Sequence, residues 1–267
     1  MNQDLETKNI PELLFQLSLP AMTSMLISAI YNIVDRIFVE KISPLALTGV
    51  GITMPIQILQ MAFVLLIGIG SSTLISIKLG ERKKEEAEII LHQAFKYIVL
   101  SMAGFSILTL LFLNPILDIL QVSPNVYPYA KDYILVMIIG SLVGLPGFCL
   151  NNSLRAIGKA SVSMKIVVSS AILNIILDPL FIFTFNMGIK GAAIATVISQ
   201  TYVTVLVLWM FIKGKDFPIK LRFKFLHATP VEPEPMKQSR TVSPVLLQEI
   251  IWSFANCSGN IAGCTFK

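Results

Sequence analysis

The sequence predicts an all-α, polytopic membrane protein, a bundle of about six transmembrane helices with its N-terminus in the cytoplasm. Of its 267 residues, 54% are hydrophobic and only 14% are charged, whereas a soluble domain carries about 25% charged residues. The mean hydropathy is +0.74. Long apolar runs recur along the chain, and most of the lysines and arginines lie between them. The membrane class follows from these observations before any motif is considered.

Each predicted span holds the roughly 20 apolar residues that a helix needs to cross the roughly 30 Å hydrocarbon core. No segment shows the alternation of a barrel strand, and backbone groups in lipid need partners within the segment, so the spans are expected to be helices. The first two exceed the minimum length and are expected to be tilted, kinked or partly outside the core. The predicted spans are Leu13–Val39, Leu45–Ile77, Glu88–Leu113, Tyr127–Leu154, Ser163–Phe185 and Gly188–Ile212.

The lysines and arginines set the predicted orientation. The second and fourth connections and the segment after the sixth span hold most of them, and the odd-numbered connections hold few. Cytoplasmic loops carry an excess of these residues, so both chain ends and the even-numbered connections are expected in the cytoplasm. The same distribution accounts for the net charge of +5. The expected partner is therefore the lipid bilayer, and no nucleic acid partner is expected.

Polar side chains within the apolar spans are the candidate functional residues. Asp35 lies in the first span and Asp178 in the fifth, and a carboxylate at bilayer depth costs at least about 2.5–3.5 kcal/mol on insertion scales. Asn174 precedes Asp178 by four residues and shares its helix face. Asp35 lies about one turn and Asp178 about two turns below the outer ends of their spans, and Tyr133 and Thr196 also fall in outer halves. We therefore predict one water-filled cavity that holds all five.

This predicted cluster suits coupling to a cation. Two carboxylates in a low-dielectric cavity repel each other and resist ionisation. Binding of H⁺ or Na⁺ would remove that penalty and shift helix packing. Na⁺ would suit the hard oxygen ligands of Asp35, Asp178 and Asn174, but the residues do not choose between the two ions. No cofactor other than the coupling ion is expected.

Each aspartate also has a structural interpretation. Asp178 precedes Pro179 and would then be a helix-end residue that is never buried. Asp35 would then pair with Arg36 or Lys41 near the interface, although neighbouring residues on a helix point in different directions.

Proline and glycine interrupt several spans. Pro20 shares the first span with Asp35, and proline removes one backbone hydrogen bond and bends a helix. We therefore predict a hinge at Pro20 that responds to protonation of the aspartate. Small residues such as Gly140, Gly144 and Gly147 in the fourth span allow close helix contact.

No feature of the sequence supports an enzyme. It has no nucleotide-binding glycine loop, no HExxH and no nucleophile elbow. His92 is expected to be a solvated residue near a cytoplasmic helix start. The mixed-sign run ERKKEEAE, Glu81–Glu88, is expected to be an exposed connection and helix start.

Three stretches carry a family resemblance: LSLPAMTSMLISAIYNIVDRIFVE, NNSLRAIGKASVSMKIVVSSAILNIILDPLFIF and GIKGAAIATVISQ. They closely resemble the multidrug and toxic compound extrusion (MATE) transporters, specifically the DinF-like branch, over residues 10–225. Members of that family have two six-helix lobes and expel cationic, amphipathic drugs in exchange for H⁺ or Na⁺. The resemblance implies ion coupling at Asp35, Asp178, Asn174, Tyr133 and Thr196, a substrate cleft at Asn151 and a bend at Pro20.

The resemblance implies one N-terminal lobe, residues 1–225. Residues 226–267 hold several prolines and no spanning segment, and they are expected to be a disordered or frameshifted cytoplasmic tail. Alternating access needs one bundle moving against another. A single lobe would therefore work with a second copy or with a separately encoded C-terminal lobe.

The leading functional hypothesis is a multi-pass antiporter lobe of the cell membrane, which exports small cationic amphipathic molecules by alternating access in exchange for H⁺ or Na⁺. One alternative is a truncated half that does not transport. Another is a flippase for lipid-linked saccharides from the same superfamily. Such flippases need cationic residues to hold a pyrophosphate, and the acidic cluster favours cationic cargo instead.

Overall fold

The computed structural model describes residues 10–214 and 217–221, and its regular structure is entirely helical. In chain order the elements are α1 Ile10–Ile42, α2 Pro44–Gly80, α3 Lys84–Leu111, α4 Leu113–Ile119, α5 Tyr127–Ala156, α6 Ala160–Pro179, a π-helix Leu180–Thr184 and α7 Gly188–Lys213. All but α4 take part in the 6 helical segments of this part of the chain that are long and apolar enough to cross a membrane. The predicted fold class is confirmed. The predicted tail, residues 226–267, lies outside the described residues.

The third span differs from the prediction at both ends. The helix α3 begins at Lys84, one turn before the predicted Glu88, and ends at Leu111. The chain then turns at Phe112 into the short helix α4, which the sequence analysis missed. Pro115 is the third residue of α4, and proline is tolerated in the first turn of a helix but not in the interior of a longer one. The proline therefore separates α3 from α4.

The helix α5 forms the centre of the bundle and packs against α7, α2 and α3, while α1 packs mainly against α6. Its contact with α7 is made by glycines. A Cβ atom at Gly147 would overlap the backbone of Thr204, and one at Gly144 would lie 2.7 Å from Cβ of Gln200. The Thr204 hydroxyl donates a hydrogen bond to the Gly144 carbonyl at 2.7 Å and accepts one from the Gly147 amide at 3.1 Å. Small residues let the two backbones approach, as the sequence indicates.

Buried polar side chains join three spans on the other side of α5. Gln60 of α2 donates to the Ser141 hydroxyl at 3.0 Å, and Ser106 of α3 donates to the Ile138 carbonyl at 3.2 Å. All three side chains are buried. Such hydrogen bonds hold helices together where water cannot compete for the polar groups. The α5 helix is therefore fixed on both sides, by close packing and by polar contacts.

The fifth span changes its helical form near its outer end. Pro179 is the last residue of α6, and the Phe185 amide donates to the Leu180 carbonyl at 3.0 Å across the π-helix. The backbone of Phe181 lies against α7, 2.8 Å from where a Cβ atom at Gly191 would be. Single π-turns within spans frequently occur at functional sites. This one follows directly after Asp178.

The cytoplasmic turn between α2 and α3 holds an ion-pair network. Lys78 pairs with Glu86 at 2.9 Å, and Lys83 pairs with Glu81 at 3.1 Å. The hydrogen bond from Lys83 and the neighbouring Lys78 lower the pKa of the Glu81 carboxyl. The predicted exposed connection is right for residues 81–85 and wrong for the last two residues of the run, Ala87 and Glu88, which are buried.

The close contact between α5 and α7 gives a stability prediction. Gly147→Leu places a side chain where the Thr204 backbone lies, and overpacking of this kind costs about 1–3 kcal/mol or more. The variant is expected to lower the unfolding temperature of the purified chain in detergent. Gly104→Leu on α3 is the matched control, because a Cβ atom at Gly104 would meet no atom within 4 Å. Equal unfolding temperatures for the two variants would contradict the packing argument.

Candidate functional site

The two intramembrane aspartates lie on adjacent helices in the half of the bundle predicted to face outward. Asp35 precedes the end of α1 at Ile42 by seven residues, which is about 10 Å along a helix. It is therefore about two turns inside the helix end, deeper than predicted. Asp178 is the residue before Pro179 at the end of α6, and the π-helix continues the span beyond it. The contact between α1 and α6 places both residues on facing helices.

Asp178 is fully buried, with 0% of its surface exposed. Its Oδ1 atom accepts a hydrogen bond from the Asn174 amide at 3.3 Å, so the spacing of four residues does place the two on one helix face. The Oδ2 atom of Asp178 and the Oδ1 atom of Asn174 are buried and have no hydrogen-bond partner within the described part of the chain. The alternative interpretation of Asp178 as an unburied helix-end residue is wrong.

Asp35 is half-buried, and its Oδ1 atom is buried without a hydrogen-bond partner among residues 10–214 and 217–221. The structure gives it no ion pair within those ranges. Arg36 instead points to the sulfur of Met54 at 3.7 Å, and Lys41 lies over the ring of Phe38 at 5.9 Å. The charge of Asp35 interacts electrostatically with Asp178. The Arg36 charge also acts on Asp35, so the predicted interaction with Arg36 is present without a direct ion pair, and the two carboxyl groups lie close enough to interact.

Tyr133 and Thr196 lie on the far side of this region. Tyr133 of α5 is buried and lies within electrostatic reach of both Asp35 and Asp178. Thr196 of α7 is half-buried and donates its hydroxyl hydrogen to the Ala192 carbonyl of its own helix at 3.1 Å. All five predicted residues are thus found on four neighbouring spans, with Asn174 and Asp178 in direct contact.

A cavity of about 20 Å³ lies beside Asn174 and Thr196, which is room for one water molecule. It differs from the prediction because Asp35, Asp178 and Tyr133 do not line it. It also lies nearer the middle of the spans than their outer ends. The lining residues are Ser28, Tyr31, Phe148, Val167, Ser170, Ala171, Asn174, Thr196, Ser199 and Gln200.

Apart from Asn174 and Thr196, sequence analysis missed the polar residues that line the cavity. Tyr31 interacts electrostatically with both Asp35 and Asp178 and precedes Asp35 by four residues. The spacing rule that identified Asn174 beside Asp178 would have identified Tyr31 as well. The Ser170 hydroxyl donates to the Ser199 carbonyl at 2.8 Å, and no sequence signal distinguishes these serines from those that bond to their own helix.

The two remaining predicted residues lie apart from the acidic pair. Asn151 of α5 is buried, and its Oδ1 atom has no partner among the residues that the structure describes. It does not line the cavity, but Phe148, one turn away, does. The helix α1 continues through Pro20 without a break, and the Pro20 carbonyl accepts a hydrogen bond from the Ser24 hydroxyl at 2.8 Å. The substrate cleft at Asn151 and the hinge at Pro20 stay predictions.

Three buried oxygen atoms without donors therefore gather in one region, from Asp35, Asp178 and Asn174. A buried acceptor that lacks a donor costs about 1–3 kcal/mol, and more when it is charged. A proton or a small hard cation would supply the missing interaction, because both bind carboxylate and amide oxygens. The arrangement thus has the ligand chemistry expected of a site for a proton or a small hard cation.

A bundle of spanning helices with carboxyl and amide groups buried at membrane depth is typical of membrane transporters. The sequence model of the MatE family matches residues 20–180, and the chain belongs to that family. The predicted multi-pass location in the cell membrane is confirmed. The DinF-like branch stays a prediction.

Several curated relatives are named as exporters or transporters rather than enzymes. The multidrug export protein MepA of Staphylococcus haemolyticus (strain JCSC1435) is 28% identical over 263 residues, covering 98% of this chain and 57% of the relative. MepA of Staphylococcus aureus (strain NCTC 8325 / PS 47) is 30% identical over 201 residues, covering 74% of this chain and 44% of the relative. The FAD transporter of Shewanella oneidensis is 27% identical over 194 residues, covering 71% of this chain and 43% of the relative. The chain spans about half the length of these relatives.

Solved structures give the same result for the fold. An outward-facing multidrug resistance MATE family transporter of the MOP superfamily matches with a TM-score of 0.83 and 25% identity, over 91% of this chain and 53% of that one. A MOP superfamily transporter from Pyrococcus furiosus matches with a TM-score of 0.85 and 25% identity, over 94% of this chain and 55% of that one. That transporter is described as having a binding pocket of reverse polarity.

The contact between Asn174 and Asp178 gives a second stability prediction. Asn174→Ala removes the donor to a fully buried carboxyl group, and the expected loss of stability is about 1–3 kcal/mol. Asn32→Ala is the matched control, since Asn32 is exposed and bonds to the Ser28 carbonyl of its own helix at 2.7 Å. Its expected effect is within about 0.5 kcal/mol. Thermal unfolding of both variants in detergent measures the difference, and a harmless Asn174→Ala would contradict the buried contact.

Proposed function

We propose that this chain is one lobe of a cation-coupled antiporter, which exports small cationic amphipathic molecules across the cell membrane by alternating access. The observation that supports this proposal most strongly is the pair formed by Asp35 and Asp178. Both carboxyl groups carry a buried oxygen without a donor among the described residues, and Asp178 experiences the charge of Asp35. Membership of the MatE family and the names of the relatives support export as the direction of transport.

In the proposed mechanism the pair alternates between a loaded and an empty state. Loading with H⁺ or Na⁺ from outside removes the repulsion between the carboxylates, and the Asn174 side chain then satisfies the remaining acceptor positions. Release of the ion restores the repulsion and pushes α1 away from α6, because the carboxyl groups sit on these two helices. Pro20 lets the inner part of α1 follow that movement.

Alternating access requires a second bundle against which this lobe moves. A second copy of the chain, or a separate C-terminal lobe, is the proposed partner. The helix α1 has a row of exposed large apolar side chains at spacings of three and four residues, which a partner bundle or lipid would cover. The members of this row are Leu19, Met22, Leu26, Ile30, Ile33 and Ile37. Without such a partner, the chain would be the non-transporting half already considered.

The charge of the site is the argument for cationic cargo. An acidic region attracts cations and repels anionic molecules, and two carboxylates interact here. The FAD transporter among the relatives is the specific reason to keep an anionic nucleotide as a second candidate cargo. A lipid-linked saccharide carries a pyrophosphate and would face the same repulsion.

Export assays in a drug-sensitive host give the functional prediction. The chain is expressed alone and together with the C-terminal half of a MatE relative, and accumulation of a fluorescent cationic dye is followed. Wild type is expected to lower accumulation with the partner present. Asp35→Asn and Asp178→Asn are each expected to reduce this efflux at least about tenfold. Each carboxyl group is proposed to bind the ion more tightly in one state of the lobe than in the other, and without that difference ion binding no longer shifts the equilibrium between the states.

Asp118→Asn is the matched control, since Asp118 is exposed on α4 outside the spans. It is expected to leave efflux unchanged. Equal efflux by wild type and both intramembrane variants would exclude ion coupling by these residues. Export of an anionic flavin nucleotide without any export of the cationic dye would favour the second cargo.

A further inference from the structure

The chain turns back on itself after the last span. Residues 217–221, called the strap here, lie against the cytoplasmic end of the bundle as the orientation predicts it. Ile219 is 0% exposed and Leu221 is 4% exposed. Both belong to a core cluster with side chains from the cytoplasmic ends of five spans. That cluster includes Ile75, Leu91, Leu154, Ile166 and Phe211.

Two backbone hydrogen bonds hold the strap in place. The Leu221 amide donates to the Phe211 carbonyl of α7 at 3.0 Å. The Lys220 amide donates to Oε1 of Glu88 on α3 at 3.1 Å. The strap therefore connects the cytoplasmic ends of the third and sixth spans.

Glu88 is an unusual residue at this position because it is only 5% exposed. Within the described ranges it forms no ion pair, and its carboxylate accepts one hydrogen bond, from the strap. His92, one turn further along α3, is also buried and not solvated as predicted, and its Nδ1 atom lies 2.7 Å from the Glu88 carbonyl. A buried carboxylate is stable only where hydrogen bonds replace its hydration. Glu88 and the strap amide thus depend on each other.

The path of the chain into the strap requires a glycine. Gly214 ends α7, and a Cβ atom there would collide with the Phe217 ring. That ring packs on Phe211 with centroids 5.9 Å apart, and Lys159 of the turn between α5 and α6 lies 6.0 Å from its centroid. Any side chain at position 214 therefore displaces the first residue of the strap.

We propose that the strap is a conformational device that closes the cytoplasmic end of the lobe, with the Glu88 carboxylate as its anchor. While docked, it holds the inner ends of α3, α5 and α7 together. Opening of the inner end requires the strap to undock. This role is independent of the aspartate pair and goes beyond the proposed transport cycle.

Accessibility of the strap tests the proposal. Ile219→Cys is made in the full chain with Cys149, Cys257 and Cys264 replaced by alanine, and a membrane-impermeant maleimide is added to inside-out vesicles. Labelling is expected to be at least about tenfold slower than at Lys83→Cys in the exposed cytoplasmic turn, since only the undocked fraction reacts. Glu88→Ala and Gly214→Ala are each expected to accelerate labelling about tenfold, because each removes one requirement for docking.

Glu88→Gln is the matched control. The glutamine keeps an acceptor oxygen at the position of Oε1, so labelling is expected to stay within about threefold of wild type. Trypsin cleavage after Lys220, identified by mass spectrometry in the chain without the added cysteine, checks that the Ile219→Cys substitution does not itself undock the strap. Labelling at position 219 as fast as at position 83, or labelling unaffected by both Glu88→Ala and Gly214→Ala, would overturn the proposal.

Discussion

The burial of two carboxyl groups at membrane depth is the constraint on which the arrangement of this lobe depends. Asp178 is fully buried and Asp35 is half-buried, and neither forms an ion pair among the described residues. Each charge opposes insertion of its own span, and the two oppose each other. The proposed exchange of a cation would offset this cost, because binding of a cation removes the repulsion between the carboxylates.

The rest of the bundle holds this pair in place without a direct ion pair to either carboxyl group among the described residues, although the Arg36 charge acts on Asp35. The glycine contacts between α5 and α7 and the hydrogen bond from Gln60 to Ser141 fix one half of the lobe. The aspartates lie on α1 and α6, and α6 packs against α7 as well as against α1. The proposed response to ion occupancy is therefore expected on these two helices and not in the closely packed centre. The strap adds a separate contact at the opposite end, where Glu88 is the buried acid.

Periodicity and composition predict most of the fold because lipid leaves few choices. All six spans, the glycine contacts of α5 and the pairing of Asn174 with Asp178 follow from length and helical spacing. Three features depend on tertiary packing, and residue spacing alone does not predict them. They are the break at Pro115, the π-helix after Pro179 and the cavity beside Asn174. Glu88 was expected in water because it ends a charged run, and His92 because it lies near a cytoplasmic helix start. The strap residue that donates to Glu88 lies 132 positions later in the chain, a contact that no local pattern predicts.

A double-mutant cycle on the two aspartates tests the central claim most directly. The free energy of unfolding is measured for wild type, Asp35→Asn, Asp178→Asn and the double variant in the same detergent at alkaline pH. Either single substitution removes the whole repulsion between the carboxylates, so the second substitution in the double variant gains no further relief. The double variant is therefore expected to be less stable than the sum of the single effects predicts, by at least about 0.5 kcal/mol. Additivity within about 0.3 kcal/mol would show that the carboxyl groups do not interact, and would contradict the account.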